Sequence, residues 1–209
     1  TGFSIVKWTG TGNAAHTVGH GLGVAPNMVL SKNLDQADTW QVYHSGAGSG
    51  AKFGGHLDSL AAFNTSAGTH GAWNTPSSTA LTFSNGSSSI DNLNTNSEDY
   101  IAYCFTDIDG FSKFGSYTGN SSNNGPIVET GFEPAFLMIK NTSSTESGGA
   151  DWLMYDNVRS TTNPRDRRLY ASGNYAEAQN DNYDLDFLSN GFQIKSGTSN
   201  YGFNNSGDT

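Results

Sequence analysis

The chain has 209 residues, a formal net charge of −9 and a pI near 4.7; this acidic balance disfavours binding to a nucleic-acid backbone, which needs clustered positive potential. Hydrophobic residues make up 34% and charged residues only 14%, which excludes a disordered polyelectrolyte; the polarity comes instead from Gly, Asn, Ser and Thr, residues of turns and strand edges. A single cysteine, Cys104, excludes an internal disulfide, and no apolar run reaches the roughly 18 residues of a membrane-spanning helix.

The sequence begins at Thr1 without Met and without a signal peptide, which predicts a fragment or a processed product. Phe3 to Trp8 alternates in strand period, Phe3 and Ile5 on one face and Val6 and Trp8 on the other. The stretch from His16 to Pro26 is too rich in Gly for a helix. Met28-Val29-Leu30 is short and continuously apolar, as in a strand covered on both faces, and Trp40 to Tyr43 reads as its returning partner. Five glycines between Gly46 and Gly55 mark a flexible connection; it lacks the G-K-[ST] ending of a phosphate-binding loop. His56 to Asn64 reads as a short strand and Trp73 to Pro76 as a turn. Leu81 to Phe83 is again a strand, and Asn85-Gly86 a hairpin signal. Tyr100 to Phe105 is the clearest strand of this half. Cys104 lies inside it and reads as a small buried hydrophobe.

After a turn at Asp107 to Gly110 the pattern starts again. G-V-A-P-N-M-V-L-S-K-N (Gly23 to Asn33) returns as G-F-E-P-A-F-L-M-I-K-N (Gly131 to Asn141), aligning Pro26 with Pro134, Lys32 with Lys140 and Asn33 with Asn141. W-Q-V-Y-H at Trp40 returns as W-L-M-Y-D at Trp152, so both tryptophans read as core anchors. Phe111-Ser112 and Tyr117-Thr118-Gly119 echo Phe3-Ser4 and Trp8-Thr9-Gly10. A hairpin is expected at Asn190-Gly191, with Phe192 and Ile194 facing in. The second loop, between Asn141 and Trp152, is longer than the first by about four residues, within what surface loops tolerate. The offset is domain-sized, far beyond the ~20–50 residues of a solenoid repeat. The fold expected is all-β: two tandem β-sandwich modules of jelly-roll or lectin-like type, or one pseudo-symmetric sandwich. Module boundaries fall at 1–109 and 110–209. No counterpart of the Tyr100 to Phe105 strand follows in the second module, so residues beyond Thr209 or another subunit are expected to complete its sheet.

These motifs, together with V-G-H-G-L-G-V-A-P-N-M, Y-I-A-Y-C-F, F-S-K-F-G-S-Y-T-G-N and F-L-S-N-G-F-Q-I, resemble a recurrent domain of unknown function found in structural proteins of tailed, often marine, bacteriophages. The resemblance covers nearly the whole chain and implies a virion component, in a tail fibre, spike or appendage, with no catalytic residue carried over. It implies other virion subunits as partners, a homo-oligomer, and host-surface glycan as a ligand. The alternative is a capsid-decoration or filament subunit without a ligand.

Few residues suggest chemistry. Trp73, beside Asn74 and without a sequence counterpart in the second half, is the candidate sugar-stacking platform; a packed loop tryptophan is the plainer alternative. All four arginines, Arg159, Arg165, Arg167 and Arg168, fall within R-S-T-T-N-P-R-D-R-R. They form a candidate patch for carboxylates of an anionic glycan or a neighbouring subunit, or else an ion-pair network with Asp181, Asp184 and Asp186. Asp107, Asp109 and Gly110 begin like a calcium loop, but Thr118 stands where the twelfth-position Glu belongs. The histidines (His16, His20, His44, His56, His70) show no metal-ligand spacing. No G-x-S-x-G elbow is present. No catalytic residue, metal or cofactor is expected.

Overall fold

The structure, a computed structural model, describes residues 2–13, 15–47, 54–63, 73–83, 93–143, 151–179, 181–197 and 204–209. The described chain is all-β. Its strands are β1 (Phe3–Thr9), β2 (Thr17–Gly19), β3 (Met28–Asn33), β4 (Gln41–His44), β5 (Gly55–His56), β6 (Ala80–Thr82) and β7 (Asp99–Phe105). They continue as β8 (Ile127–Glu129), β9 (Phe136–Ile139), β10 (Leu153–Asp156), β11 (Arg167–Tyr170), β12 (Ala178–Gln179), β13 (Leu185–Leu188) and β14 (Gly191–Ile194). Every strand pair is antiparallel. Contacts divide the chain into two compact units. The first is Thr1–Leu57, Phe63–Ile108 and Lys113–Gly115; the second is Asp58–Ala62, Asp109–Ser112 and Ser116–Thr209.

In the first unit a five-stranded sheet runs in the order β1-β7-β3-β4-β5. β7 is its middle rail. It pairs with β1 from Phe3↔Phe105 to Thr9↔Asp99, and with β3 from Met28↔Phe105 to Asn33↔Tyr100. The period-2 pattern then fixes the faces: Tyr100, Ala102 and Cys104 of β7 point to the core with Trp8 and Val29. A second ladder, β2-β6, brings Leu81 and Phe83 against them. Trp8 stacks on Phe83 at 4.8 Å and on Tyr100 at 5.3 Å between ring centroids. Burying side chains of this size contributes about 1.5–3 kcal/mol each, so the aromatic cluster carries much of the unit. Burial pushes the Cys104 thiol up to about 12, which makes it an inert core group.

The second unit holds a four-stranded sheet, β12-β11-β10-β9, and a three-stranded one, β13-β14-β8. Its core gathers Ile139, Leu153, Tyr155, Leu185, Phe192 and Ile194, among others. Tyr155 is buried yet satisfied, because its hydroxyl donates to the carbonyl of Tyr183 at 2.8 Å.

The two units share a hydrogen-bonded frame. Gly10 N donates to Glu98 O at 2.8 Å as Gly119 N does to Asp208 O at 2.9 Å. Gly12 N to Asn94 O matches Ser121 N to Asn204 O, and Phe83 N to His16 O matches Ile194 N to Pro126 O. Asn94 and Asn204 are buried hubs: Asn94 Oδ1 accepts from Thr11 N, Asn204 Oδ1 from Asn120 N, and their amides donate to the carbonyls of Asn13 and Ser122. A β-carbon on Gly10 would lie 2.0 Å from Thr95 O, and one on Gly119 would lie 2.2 Å from Asn205 O. The same close backbone approach therefore demands glycine at both places.

Several expectations need correction. Of His56 to Asn64 only His56 is in a strand among the described residues. The Gly-rich stretch after His16 forms no helix, as expected, and contributes β2, since its Val18 finds Leu81 as a partner. Residues 111–118, for all their likeness to β1, form no extended strand. The second hairpin turns on Ser189-Asn190, with Leu188 paired to Gly191; Gly191 is needed because a β-carbon there would lie 2.0 Å from Val128 O. Trp40 and Trp152 each sit one residue before their strand; Trp152 is buried in the core as expected, whereas Trp40 is only half-buried. Their carbonyls accept equivalent bonds, from Leu57 N at 3.0 Å and Ala171 N at 2.9 Å. The residue buried in both hairpins is a tyrosine, Tyr43 or Tyr155. The Asn85-Gly86 signal and most of the longer loop after Asn141 lie outside the described residues.

Candidate functional site

Trp73 is fully buried. It pairs with Phe83 as Leu185 pairs with Ile194, so its counterpart in the second unit is a core leucine. Tyr43 and Phe83 pack its ring at 6.5 and 5.6 Å between centroids, and no face is left for a sugar. Asn74, next in the chain, donates its backbone N–H to Thr82 O at 2.9 Å. Sequence periodicity had no means of finding this, because a single bridge residue after a long connection carries no repeat of its own.

The arginines also part company. Arg167 and Arg159 reach Glu177 at 2.7 and 3.4 Å, and Arg159 closes a 2.6 Å pair with Asp156. The hydrogen bond from Arg167, and then that from Arg159, hold the Glu177 carboxyl below its usual range. Arg165 and Arg168 are buried. Arg165 lies over the Phe187 ring at 4.9 Å and donates to the carbonyl of Ser160. Arg168 lies 3.9 Å from the Tyr183 centroid and donates to Tyr170 Oη at 3.0 Å. Two of the arginines thus pair with Asp156 and Glu177 and the other two lie on aromatic faces; of the aspartates expected opposite them, Asp186 faces Lys195 at 3.7 Å, and the Asp181 side chain lies outside what the structure describes. Of Arg165, Arg167 and Arg168, only Arg167 has a solvent-facing head.

A recess with several polar groups, with room for about one water molecule, lies among the described residues of the second unit. Tyr117, Gly119, Lys140, Asn141, Asp208 and Thr209 line it. Asn141 Nδ2 donates to Asp208 Oδ2 at 2.9 Å, and Asn205 Nδ2 reaches the same oxygen at 3.2 Å. Lys140 Nζ donates to Asn141 O at 2.7 Å. Burial draws the lysine down to about 8, against an opposing pull from Asp151. The arrangement holds a carboxylate already satisfied by two amides and an amine facing carbonyls. It offers no nucleophile beside a base.

The first unit carries the same bonds. There Asn33 Nδ2 donates to Glu98 Oε2 at 2.7 Å, and Lys32 Nζ donates to Asn33 O at 2.9 Å. Tyr100 lies beside them, its ring on Trp8 and its hydroxyl donating to Glu98 Oε2 at 3.0 Å. Asp107, the first residue of the calcium-like run, accepts from Lys113 and from Phe114 N instead. Among the described residues no three His, Cys, Asp or Glu side chains gather as metal ligands.

A family model described as a domain of unknown function (DUF7483) matches residues 1–209. No curated protein and no solved structure matches the chain.

Proposed function

The chain belongs to the domain-of-unknown-function family DUF7483, and from that premise we propose that it is a structural module of a bacteriophage virion appendage, a β-sandwich held in place by neighbouring subunits. The observation that carries this is the outer face of the five-stranded sheet. An antiparallel sheet with one face in water alternates apolar and polar residues along each strand. Here the inner positions are core, and the outer face is apolar over one part, at Phe3, Ile5, Leu30, Ile101, Tyr103 and Phe105, while Lys7, Thr9, Lys32 and Asp99 keep its other end polar. Phe3 and Ile5 remain 47% and 58% exposed. An apolar patch on a surface otherwise rich in Ser and Asn is what assembly interfaces bury.

The resemblance to phage structural proteins supplies the class of assembly. Subunit contact takes precedence over glycan display, because the expected stacking tryptophan is internal and two of the four patch arginines are spent on aromatic rings. Mass spectrometry of purified particles is expected to find the chain, with amine cross-links from Lys7, which lies on the same face as Ile5, to another virion subunit. The variant Ile5→Asp is expected to lose incorporation. Absence of the chain from particles overturns the reading.

A further inference from the structure

The free polar groups of a strand point where its ladder leaves them. In an antiparallel pair, residues that exchange both N–H···O bonds alternate with residues that exchange none. β1 and β7 run in register from Phe3↔Phe105 to Thr9↔Asp99. The bonds at either end of that ladder fix its phase: Thr106 N donates to Gly2 O at 3.0 Å, and Gly10 N to Glu98 O at 2.8 Å. Ser4, Val6 and Trp8 therefore bond to β7, while Phe3, Ile5, Lys7 and Thr9 turn their N–H and C=O groups the other way. On the far side of β7 the same phase holds, since Leu34 N, just past β3, donates to Asp99 O at 2.8 Å. β1 is the end strand of its sheet, so no described residue pairs with those four on that side. All four are exposed, and the register runs one-to-one without a bulge or a proline. Regular edges of this length are what folded proteins otherwise shorten, twist or cover.

We propose that this edge of β1 pairs with β1 of a second copy of the chain, antiparallel about a two-fold axis at Ile5. Such pairing deepens the assembly reading above and rests on it only through the apolar outer face. A two-fold contact needs a strand that complements itself. An axis at Ile5 sets Ile5 against Ile5 and Phe3 against Lys7, so apolar side chains meet and the lysine stem and ammonium lie on a ring. An axis at Lys7 would instead oppose like charges. Lys7 is already paired with Asp99 at 2.7 Å, so its charge does not bar the approach. Each copy brings the N–H and C=O groups of Phe3, Ile5 and Lys7 to the new ladder, and the two outer faces join across it, covering the exposed Phe3 and Ile5.

Analytical ultracentrifugation of the intact chain, with amide-resolved hydrogen exchange over the same concentrations, tests this. A concentration-dependent dimer is expected, with exchange at the Ile5 and Lys7 amides slowed at least tenfold as it forms. The amides of Val6 and Trp8, already bonded to β7, are expected to be slow throughout. Lys7→Pro removes one edge N–H and leaves the bonds to β7 and the apolar side chains in place. It is expected to weaken the dimer at least tenfold, and Lys7→Ala to weaken it less. A dimer whose Ile5 and Lys7 amides stay unprotected overturns edge pairing and leaves the assembly reading standing. Protection of those amides at every concentration, or a chain still monomeric at millimolar concentration, overturns it too. Should Lys7→Pro fail to fold, the exchange pattern of the unaltered chain still decides. Failure of the assembly reading shows separately, as absence from particles whatever the dimer does.

Discussion

In the first unit β3 has β7 beside it, and among the described residues of the second unit β9 pairs with β10 alone. Residues 111–118 carry the pattern of β1 yet form no extended strand, while β1 is ordered along its whole length against β7. The amide and carbonyl groups of a strand need a ladder partner, and alternation alone does not provide one. β9 keeps its strand because β10 pairs with it from Phe136↔Asp156 to Ile139↔Leu153. The lesson is that strand formation here is a property of pairs.

The partner of β3 can be weakened at Tyr100. Tyr100→Ala deletes a fully buried ring and a hydroxyl bonded to Glu98 and to Thr95 N. A loss of about 3–5 kcal/mol is expected in urea unfolding, as for large-to-small aromatic changes in a core. The paired substitution at equivalent strand positions sharpens the contrast. Met28 is 8% exposed and Phe136 59%, so Met28→Ala is expected to cost about 2–3 kcal/mol, and Phe136→Ala under about 1 kcal/mol. Equal costs in thermal melts would mean that the two flanks are covered alike. The smallest effect is electrostatic. Lys140 is held at about 8, below the ordinary value of 10.5. The folded state therefore binds fewer protons than the unfolded one between those values, and stability should rise with pH across that window. Lys140→Met should remove this rise, on the order of 1–2 kcal/mol, which pH-dependent denaturation would detect.

Much of the frame was legible in the sequence. The strands at Phe3, Met28, Tyr100 and Phe136 are visible as period-2 or continuous apolar runs, and the pairing of Lys32-Asn33 with Lys140-Asn141 marks the same lysine-to-carbonyl and asparagine-to-carboxylate bonds in both halves. What was not legible depends on distant partners. Trp73 has its counterpart in Leu185 through a bridge to Phe83, across connections of unequal length that no linear alignment matches. The arginine cluster suggested one charged surface, but alternation sends Arg167 outward and Arg168 inward, and a guanidinium laid on tyrosine leaves no compositional trace.

The burial of Cys104 gives the molecule a built-in clock. The sulfur lies near the end of β7, closed in by β1 and β3 on either side, and its thiolate is suppressed throughout the neutral range. A thiol reagent must therefore wait until that rail swings free, so the pace of labelling reads how often the first unit breathes open, with no dye or substitution added.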